Sequence, residues 1–435
     1  MKPPTVLMLG ASLAQIPGIA AARAQGIDVI SCDNLPHSPG HALASASIQA
    51  STFDPEAVLT AARQHAIDGV MTMGSDQPVL TAAIIAHQLG LPSALTVDTA
   101  RSVTDKRDMK RRFQRLGLPT MPFLIYRPVG LFVRSQDSDA PDSLDLLDYP
   151  VVIKPVDSQG QRGIFVCATA AEVRAKALQV LAFSRAAEIL VESYYPSAEV
   201  TVSGWVNAGQ AHILTLTDRE RFAGTAQLGI CLSHEWPSRF LESHGDEIAS
   251  LTQAIVSGFG ITTGPIYFQF LIGASGVKIN EIACRIGGAF ESQFIPRLTG
   301  FDLTAAQIDL ALGRPLTPAS QAVLKQHDFR QVGEHLSVQL FFAQPCTIAH
   351  LTPLAEVLAC PGVLDAGYHL QPGHTIPAIT NATARVGYCI LTAPDKQALE
   401  QRLACLYTVL SVIDTTGVNQ LIHRPLEVLP LEYPV

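Results

Sequence analysis

The chain has 435 residues, of which 48% are apolar and 16% charged, and its net charge is −8. That length implies two to four domains, while no apolar run approaches the roughly 20 residues a bilayer requires and no stripe of clustered Lys and Arg marks a nucleic-acid surface. A membrane span and a nucleic-acid partner are therefore excluded, and small-molecule chemistry is favoured. The opening MKPPTVLMLGAS reads as a first strand rather than a secretion signal, which makes the cytoplasm the expected compartment. Eight cysteines, at 32, 167, 231, 284, 346, 360, 389 and 405, form no CxxC pair and suggest neither a zinc site nor a disulfide framework.

TVLMLG at 5–10 reads as a buried strand, a helix follows over about 15–25, and DVISCD at 28–33 is a second strand. Further alternation, helix 55–65, strand 69–73 and helix 79–89, makes residues 1–98 a small parallel α/β domain. Its first turn, GASLAQIPG, lacks the GxGxxG pattern, so no dinucleotide is placed there. Asp33 and Asp76 fall at C-terminal strand ends, where ligands bind, and equally suit a helix cap or a loop carboxylate.

The run TDKRDMKRRFQRLG at 104–117 predicts a basic helix capped by Thr104 or Asp105 and ended by Gly117. Lys106 lies in its first turn, against the helix dipole, and contact with a bound anion would explain it. Lys110, Arg111 and Arg112 are expected on a solvated charged face. Residues 127–148 are rich in Ser, Asp and Pro and suit an exposed insertion without chemistry.

In VVIKPVDSQGQRGI at 151–164 a β-branched strand ends on Lys154, because Pro155 removes a ladder donor. The following loop, with Ser158, Gly160 and Gly163, can bend its backbone around an oxyanion, since glycine accepts positive φ. An ordinary hairpin with a solvated lysine fits that segment equally well. A helix over about 170–184 and the strand EILVES at 188–193 come next, and Glu192 and Glu199 bracket a loop that could hold a nucleotide edge and ribose hydroxyls. GPIYFQFLIGASGVKINEIACRIGGAF at 264–290 reads as a hairpin that sets Gln269 opposite Glu281, an oxygen pair suited to a hard cation. Arg285, ahead of Gly287 and Gly288, could clamp a carboxyl or phosphoryl group.

Taken in order, Lys106, Lys154 with its glycine loop, Glu192, Glu199, the Gln269/Glu281 hairpin and Arg285 resemble the ATP-grasp superfamily of ligases. The resemblance implies an α/β multidomain fold: an N-terminal parallel domain at 1–98, a two-part α+β ATP-grasp domain at 99–312 with a small subdomain at about 120–196, and a lid-like α+β C-terminal domain at 313–435. It further implies that Lys106 and Lys154 hold ATP phosphates under the loop carrying Ser158, Gly160 and Gly163. Glu192 would lie beside adenine and Glu199 on the ribose, with Gln269 and Glu281 ligating Mg2+, for which Mn2+ can substitute. The family's commonest asparagine, two residues after the metal-binding glutamate, is Ala283 here, so one cation is expected to be held less fully. His234 and Arg239, in SHEWPSRF, fall in the segment that faces ATP and substrate. Arg285, Gly287 and Gly288 would bind substrate, with Arg285 and Lys154 catalytic.

The segment 381–391 resembles a strand of the C-terminal domain in peptide-forming members, and Arg385 within it is expected to be a salt-bridged strand residue rather than a substrate contact. The implied reaction is activation of a carboxylate to an acyl phosphate followed by attack of an amine. Its partners are a small-molecule carboxylate and an amine, with a homodimer as an allowed assembly. The alternatives are a nucleotide-pathway enzyme that phosphorylates bicarbonate or formate, and a nucleotide-binding regulatory module without turnover.

Overall fold

The computed structural model describes residues 2–128, 143–222 and 229–423. At its N-terminal end Ala46–Gln49, Asp28–Asp33, Thr5–Leu9 and Gly69–Met71 form, in that order, a four-stranded parallel sheet. Side chains alternate across a strand, so Val6 and Met8 enter one apolar cluster while Leu7 and Leu9 enter another on the opposite face. Burial on both faces explains the unbroken apolar run of the first strand.

The strands Phe123–Tyr126, Ile189–Ser193, Val151–Pro155 and Phe165–Cys167 make a small antiparallel sheet in that spatial order, covered by the helix Ala170–Leu181. Residues 129–142 of the expected insertion lie outside the described residues, but its end does not behave as an exposed loop. Leu144 is completely buried among Val151, Val173 and Val191, which makes the close of the insertion part of this core.

The largest sheet has eight antiparallel strands, in the order Gly276–Ala283, Gly264–Gly273, Ala198–Asn207, Gln210–Arg221, Cys231–Trp236, His335–Phe341, Gly387–Ala393 and Val363–Tyr368. Its last three strands come from beyond residue 312, so the C-terminal part of the chain extends the central sheet. The helix Leu241–Phe259 buries Ile248, Ile255 and Phe259 against one face of it, where Phe268 and Phe270 also lie. The expected strand over 381–391 begins only at Gly387. Asn381 accepts hydrogen bonds from the amide and hydroxyl of Thr383 at 2.9 and 2.6 Å, and this local capping makes a single helical turn of 382–384. Arg385 sits between that turn and the strand.

The basic helix spans Lys106–Arg115 and is capped by Asp105, whose carboxylate accepts from the amide of Arg107 at 2.8 Å. Lys106, Met109, Lys110 and Phe113 are its buried residues, one stripe at the i, i+3, i+4, i+7 spacing. Met109 and Phe113 anchor that stripe in the apolar cluster under the central sheet and so carry both lysines inward. Arg112 also leaves solvent, donating to the Gly258 carbonyl at 3.1 Å with its guanidinium 4.9 Å from the centroid of Phe259. Of the three cations expected on a solvated face, Arg111 alone is mostly exposed. Phe268 has no exposed surface, so Phe268→Ala is expected to cost about 3–5 kcal/mol, read as a lowered urea midpoint with native-like circular dichroism at zero denaturant.

Candidate active site

Lys154 and Glu192 lie on neighbouring strands, where Val152 pairs with Glu192 and Lys154 is two residues further along the same face. The Glu192 carboxylate, 3% exposed, ion-pairs with Lys154 on one side and with Lys110 at 2.9 Å on the other. Burial pushes the carboxyl pKa up, but the two ammonium groups outweigh it and hold it down to about 2. Lys110, only 1% exposed, also donates to Thr120 Oγ1 at 2.9 Å. It is a site-building residue the sequence reading passed over, although its i+4 offset from Lys106 was a signal.

Lys106 reaches out of the first helical turn to the Ser158 carbonyl at 2.8 Å and to Glu281 Oε1 at 2.9 Å. Burial draws the Lys106 pKa down, and the carboxylates around it, Glu281 first, reverse the effect. On the hairpin Gln269 does stand opposite Glu281, but the next pair is Phe270 with Ile279. Asn280 is therefore the extra residue of a β-bulge, which re-aims its side chain toward the same cavity. Its amide lies 3.5 Å from Gln269 Oε1. Ala283 is buried in the strand and offers no ligand atom. Among the described residues no group of three His, Cys, Asp or Glu side chains forms a metal cage. One carboxylate with neighbouring amide oxygens still suits Mg2+, which is commonly held by one or two carboxylates together with substrate phosphates.

Arg285 bonds Asp76 Oδ1 through Nε at 2.7 Å, and its guanidinium lies 4.3 Å from the Tyr267 ring centroid. Asp76, read as either a cap or a ligand contact, is thus the counter-ion that joins the N-terminal domain to this arginine. Asp33 is the loop carboxylate, accepting from the amides of Ala11 and Leu35 at 3.0 Å each. The two glycines after Arg285 permit close approach. A Cβ at Gly288 would stand 2.8 Å from the Gly74 carbonyl oxygen, and one at Gly287 would collide with the Glu291 carboxyl.

In the glycine loop Gly160 and Gly163 have φ of +70° and +71°. Three parts of the chain hold this loop. Gln159 Oε1 accepts from the Asp76 amide at 2.7 Å, the Gly160 carbonyl accepts from the Ala382 amide at 3.2 Å, and Lys106 holds the Ser158 carbonyl.

These pieces enclose a cavity of about 270 Å³ that brings together Lys106, Lys154, Ser158, Gly160, Glu199, His234, Gln269, Glu281, Arg285 and Gly288. Gly163 and Gly287 support its walls without lining it. An adjoining slot of about 80 Å³, bounded by Met121, Val152, Tyr194 and Leu271, shares Lys154, Glu199 and Asn280 with it and contains Glu192 in its lining. Apolar walls beside the backbone of 193–195 suit a flat heteroaromatic ring.

Glu199, at the junction, accepts from Arg219 at 2.6 Å. His234 stands opposite Arg219 in the sheet, and burial, with Arg219 and Arg385 nearby, pulls its pKa down to about 3, so it is neutral. Arg239 does not line the cavity, because Asp218 and Glu220 hold it outside. A larger depression of about 600 Å³ outside, lined by Arg107, Arg127, Asp157, Arg185 and Glu188, has its charges paired with one another and offers no such convergence.

This arrangement, two lysines under a glycine loop beside an apolar slot, falls largely within stretches that match known domain families. Residues 147–293 match the ATP-grasp domain family, and residues 339–412 match the L-amino acid ligase C-terminal domain 2. Dapdiamide A synthase of Enterobacter agglomerans is 22% identical over 264 residues, 59% of this chain and 60% of that protein. The formate-dependent phosphoribosylglycinamide formyltransferase of Burkholderia mallei is 28% identical over 174 residues, 39% of this chain and 40% of that one. The chain thus spans less than two thirds of the length of each of these curated relatives. Among solved structures, an L-amino acid ligase from Bacillus licheniformis superposes with a TM-score of 0.79 at 18% identity, over 95% of this chain and 100% of that one. A phosphoribosylglycinamide synthetase from Anaerococcus prevotii gives 0.73 at 15% identity, with the same coverage.

A carboxyl whose folded pKa lies below its unfolded value stabilises the fold at higher pH and loses that contribution as pH falls through the folded value. Glu192→Gln leaves Lys110 and Lys154 without a counter-charge and should cost about 3–5 kcal/mol at pH 7. In thermal unfolding the gap to wild type should narrow as pH drops from about 4.5 toward about 2.

Proposed function

We propose that the protein is an ATP-dependent carboxylate–amine ligase. The observation that carries this reading is the convergence of Lys106, Lys154, Glu281 and Arg285 on one cavity whose apolar neighbour fits a base. The L-amino acid ligase C-terminal match and the likeness to dapdiamide A synthase support it. The proposed division of labour is 1–98 for substrate, 99–312 for nucleotide and 313–435 for closing the cavity.

In this mechanism adenine occupies the slot against the 193–195 backbone, and Lys154 and Lys106 hold the phosphates. A carboxylate oxygen of the acid attacks the γ-phosphorus, the bond to ADP breaks, and an acyl phosphate results. The amine nitrogen then attacks the acyl carbon, phosphate leaves, and the amide forms as the nitrogen gives up a proton. Glu281, Gln269 and Asn280 are the residues that would hold Mg2+, which when bound supplies neutralising charge to the phosphoryl oxygens. Arg285 and the Gly288 amide face the acyl oxygens. Their fixed positive charge acts where negative charge develops and needs no reorganisation. Cys231 and Cys284 play no nucleophilic part, since burial pushes them up to about 11 and about 12 and keeps both protonated.

Phosphate release on screening acid and amine pairs with ATP tests the reading, and no release with any pair would refute it. Lys154→Ala should lose about 100- to 1000-fold in kcat, the scale of losing one transition-state donor. It should remain folded, because Lys110 still faces Glu192. Glu281→Ala should raise the magnesium concentration needed for half-maximal activity, whereas Gln269→Glu, which adds charge to a hard-cation site, should leave it unchanged or lower it. Identical magnesium titrations in wild type and Glu281→Ala would remove the hairpin from the metal site.

A further inference from the structure

Arg285, Gly288 and Ala289 line the cavity, and the segment that carries them is fastened at both ends. At its start the Ile286 carbonyl accepts from the Gly74 amide at 3.0 Å, and Gly288 lies against the Gly74 backbone. Near its close the Ala289 amide donates to Glu291 Oε2 at 2.8 Å. Phe290 then turns the chain out of the cavity and into the helix Glu291–Thr299, its carbonyl accepting from the Gln293 amide at 2.9 Å.

That turn is strained. Phe290 has φ of +67° and is the one aromatic residue with a left-handed backbone among the described residues. In this region the β-carbon crowds the backbone, so glycine is the usual occupant and a bulky side chain persists only where its surroundings hold it. What holds it comes from the C-terminal part of the chain. The buried Phe290 ring stacks on buried Tyr388, with centroids 3.5 Å apart and planes 17° from parallel. Tyr388 pairs with Leu340, which lines the cavity, so both residues face the same side of the sheet. The Tyr388 hydroxyl donates to Asp365 Oδ2 at 2.8 Å on the adjoining strand. Gly367 of that strand makes room for the ring, since a Cβ there would stand 2.8 Å from it.

We propose that Tyr388 is a positioning residue, whose ring holds Phe290 in the left-handed conformation and thereby sets the backbone of 287–289 against the acyl group. Resting on the ligase reading, this gives the C-terminal part of the chain a role in the chemistry without contact to substrate. A buried aromatic pair that contributes packing alone would behave differently at Phe290. Glycine takes positive φ freely but leaves a void, whereas leucine fills much of the space and keeps the strain without the stack. Packing alone ranks Phe290→Leu above Phe290→Gly in every measurement. Positioning ranks Phe290→Gly above Phe290→Leu in kcat, while their urea midpoints fall in the opposite order.

The test measures phosphate release by the full chain with ATP, magnesium and the acid and amine pair found by screening, and amide exchange of 286–290 in the ligand-free chain. Tyr388→Leu should lower kcat about 10- to 100-fold, the scale of a small misplacement of reacting groups. Tyr388→Phe, which keeps the stack, should lose less than about threefold. Adding Phe290→Gly to Tyr388→Leu should restore part of the lost kcat, because glycine needs no ring to hold it. The amides of 286–290 should exchange about 3- to 10-fold faster in Tyr388→Leu than in wild type, the worth of one aromatic stack. Those of the strand Thr5–Leu9 should exchange as in wild type, and a non-hydrolysable ATP analogue should bind wild type and Tyr388→Leu alike. Equal kcat or equal exchange of 286–290 in wild type and Tyr388→Leu, or a higher kcat in Phe290→Leu than in Phe290→Gly, overturns the proposal. No phosphate release by wild type with any pair, alongside the expected exchange difference, refutes the ligase reading while upholding the hold of Tyr388 on the segment.

Discussion

Three lysines share one small volume in this protein because two carboxylates, Glu192 buried and Glu281 partly so, lie among them. Like charges about 4 Å apart repel by on the order of 4 kcal/mol at the effective dielectric of a protein surface. Lys110 and Lys154 converge on Glu192, and Lys106 rests on Glu281. The geometry follows from two neighbouring strands and one helix. The strand Ile189–Ser193 presents Glu192 between the lysine of its neighbour and the buried stripe of the helix Lys106–Arg115. That helix reaches the hairpin through its first turn and the small sheet through its second. The placement of the small sheet over the large one therefore depends on the same charges that would meet phosphate.

The cavity is assembled by separate parts of the chain. Asp76 closes on Arg285 from the N-terminal domain, Gly74 sits against Gly288, and Ala382 holds the glycine loop from the C-terminal side. Each contact joins residues far apart in sequence and uses the backbone or a paired charge, so the surrounding side chains are free to vary. A site built this way makes occupancy and domain arrangement interdependent, which is what water exclusion in the proposed reaction would require.

The cavity sets lysines paired with carboxylates on one side and the arginines Arg219 and Arg385 on another, and of these two arginines only Arg219 has a side-chain partner among the described residues.

Much of the arrangement was legible in the sequence because local rules govern it. Period-two and period-3.6 patterns gave the first domain, Pro155 set the strand end after Lys154, and the Gly-Ala-Ser-Gly turn gave the hairpin that carries Gln269 and Glu281. Tertiary structure alone decided where side chains go once an element packs. Lys110 reads as solvated until Met109 and Phe113 pull its face under the sheet. Asn280 is the extra residue of a bulge that no turn rule places, and that bulge is what sets Glu281 rather than Asn280 opposite Gln269. Arg385 reads as a salt-bridged strand arginine, yet Asn381 makes a helical turn ahead of the strand and leaves the guanidinium against the cavity without a partner. Spacing along the chain determines which face a residue shares with its neighbours. What that face meets is set by contacts between residues hundreds of positions apart, such as Arg285 with Asp76, and no local pattern encodes them.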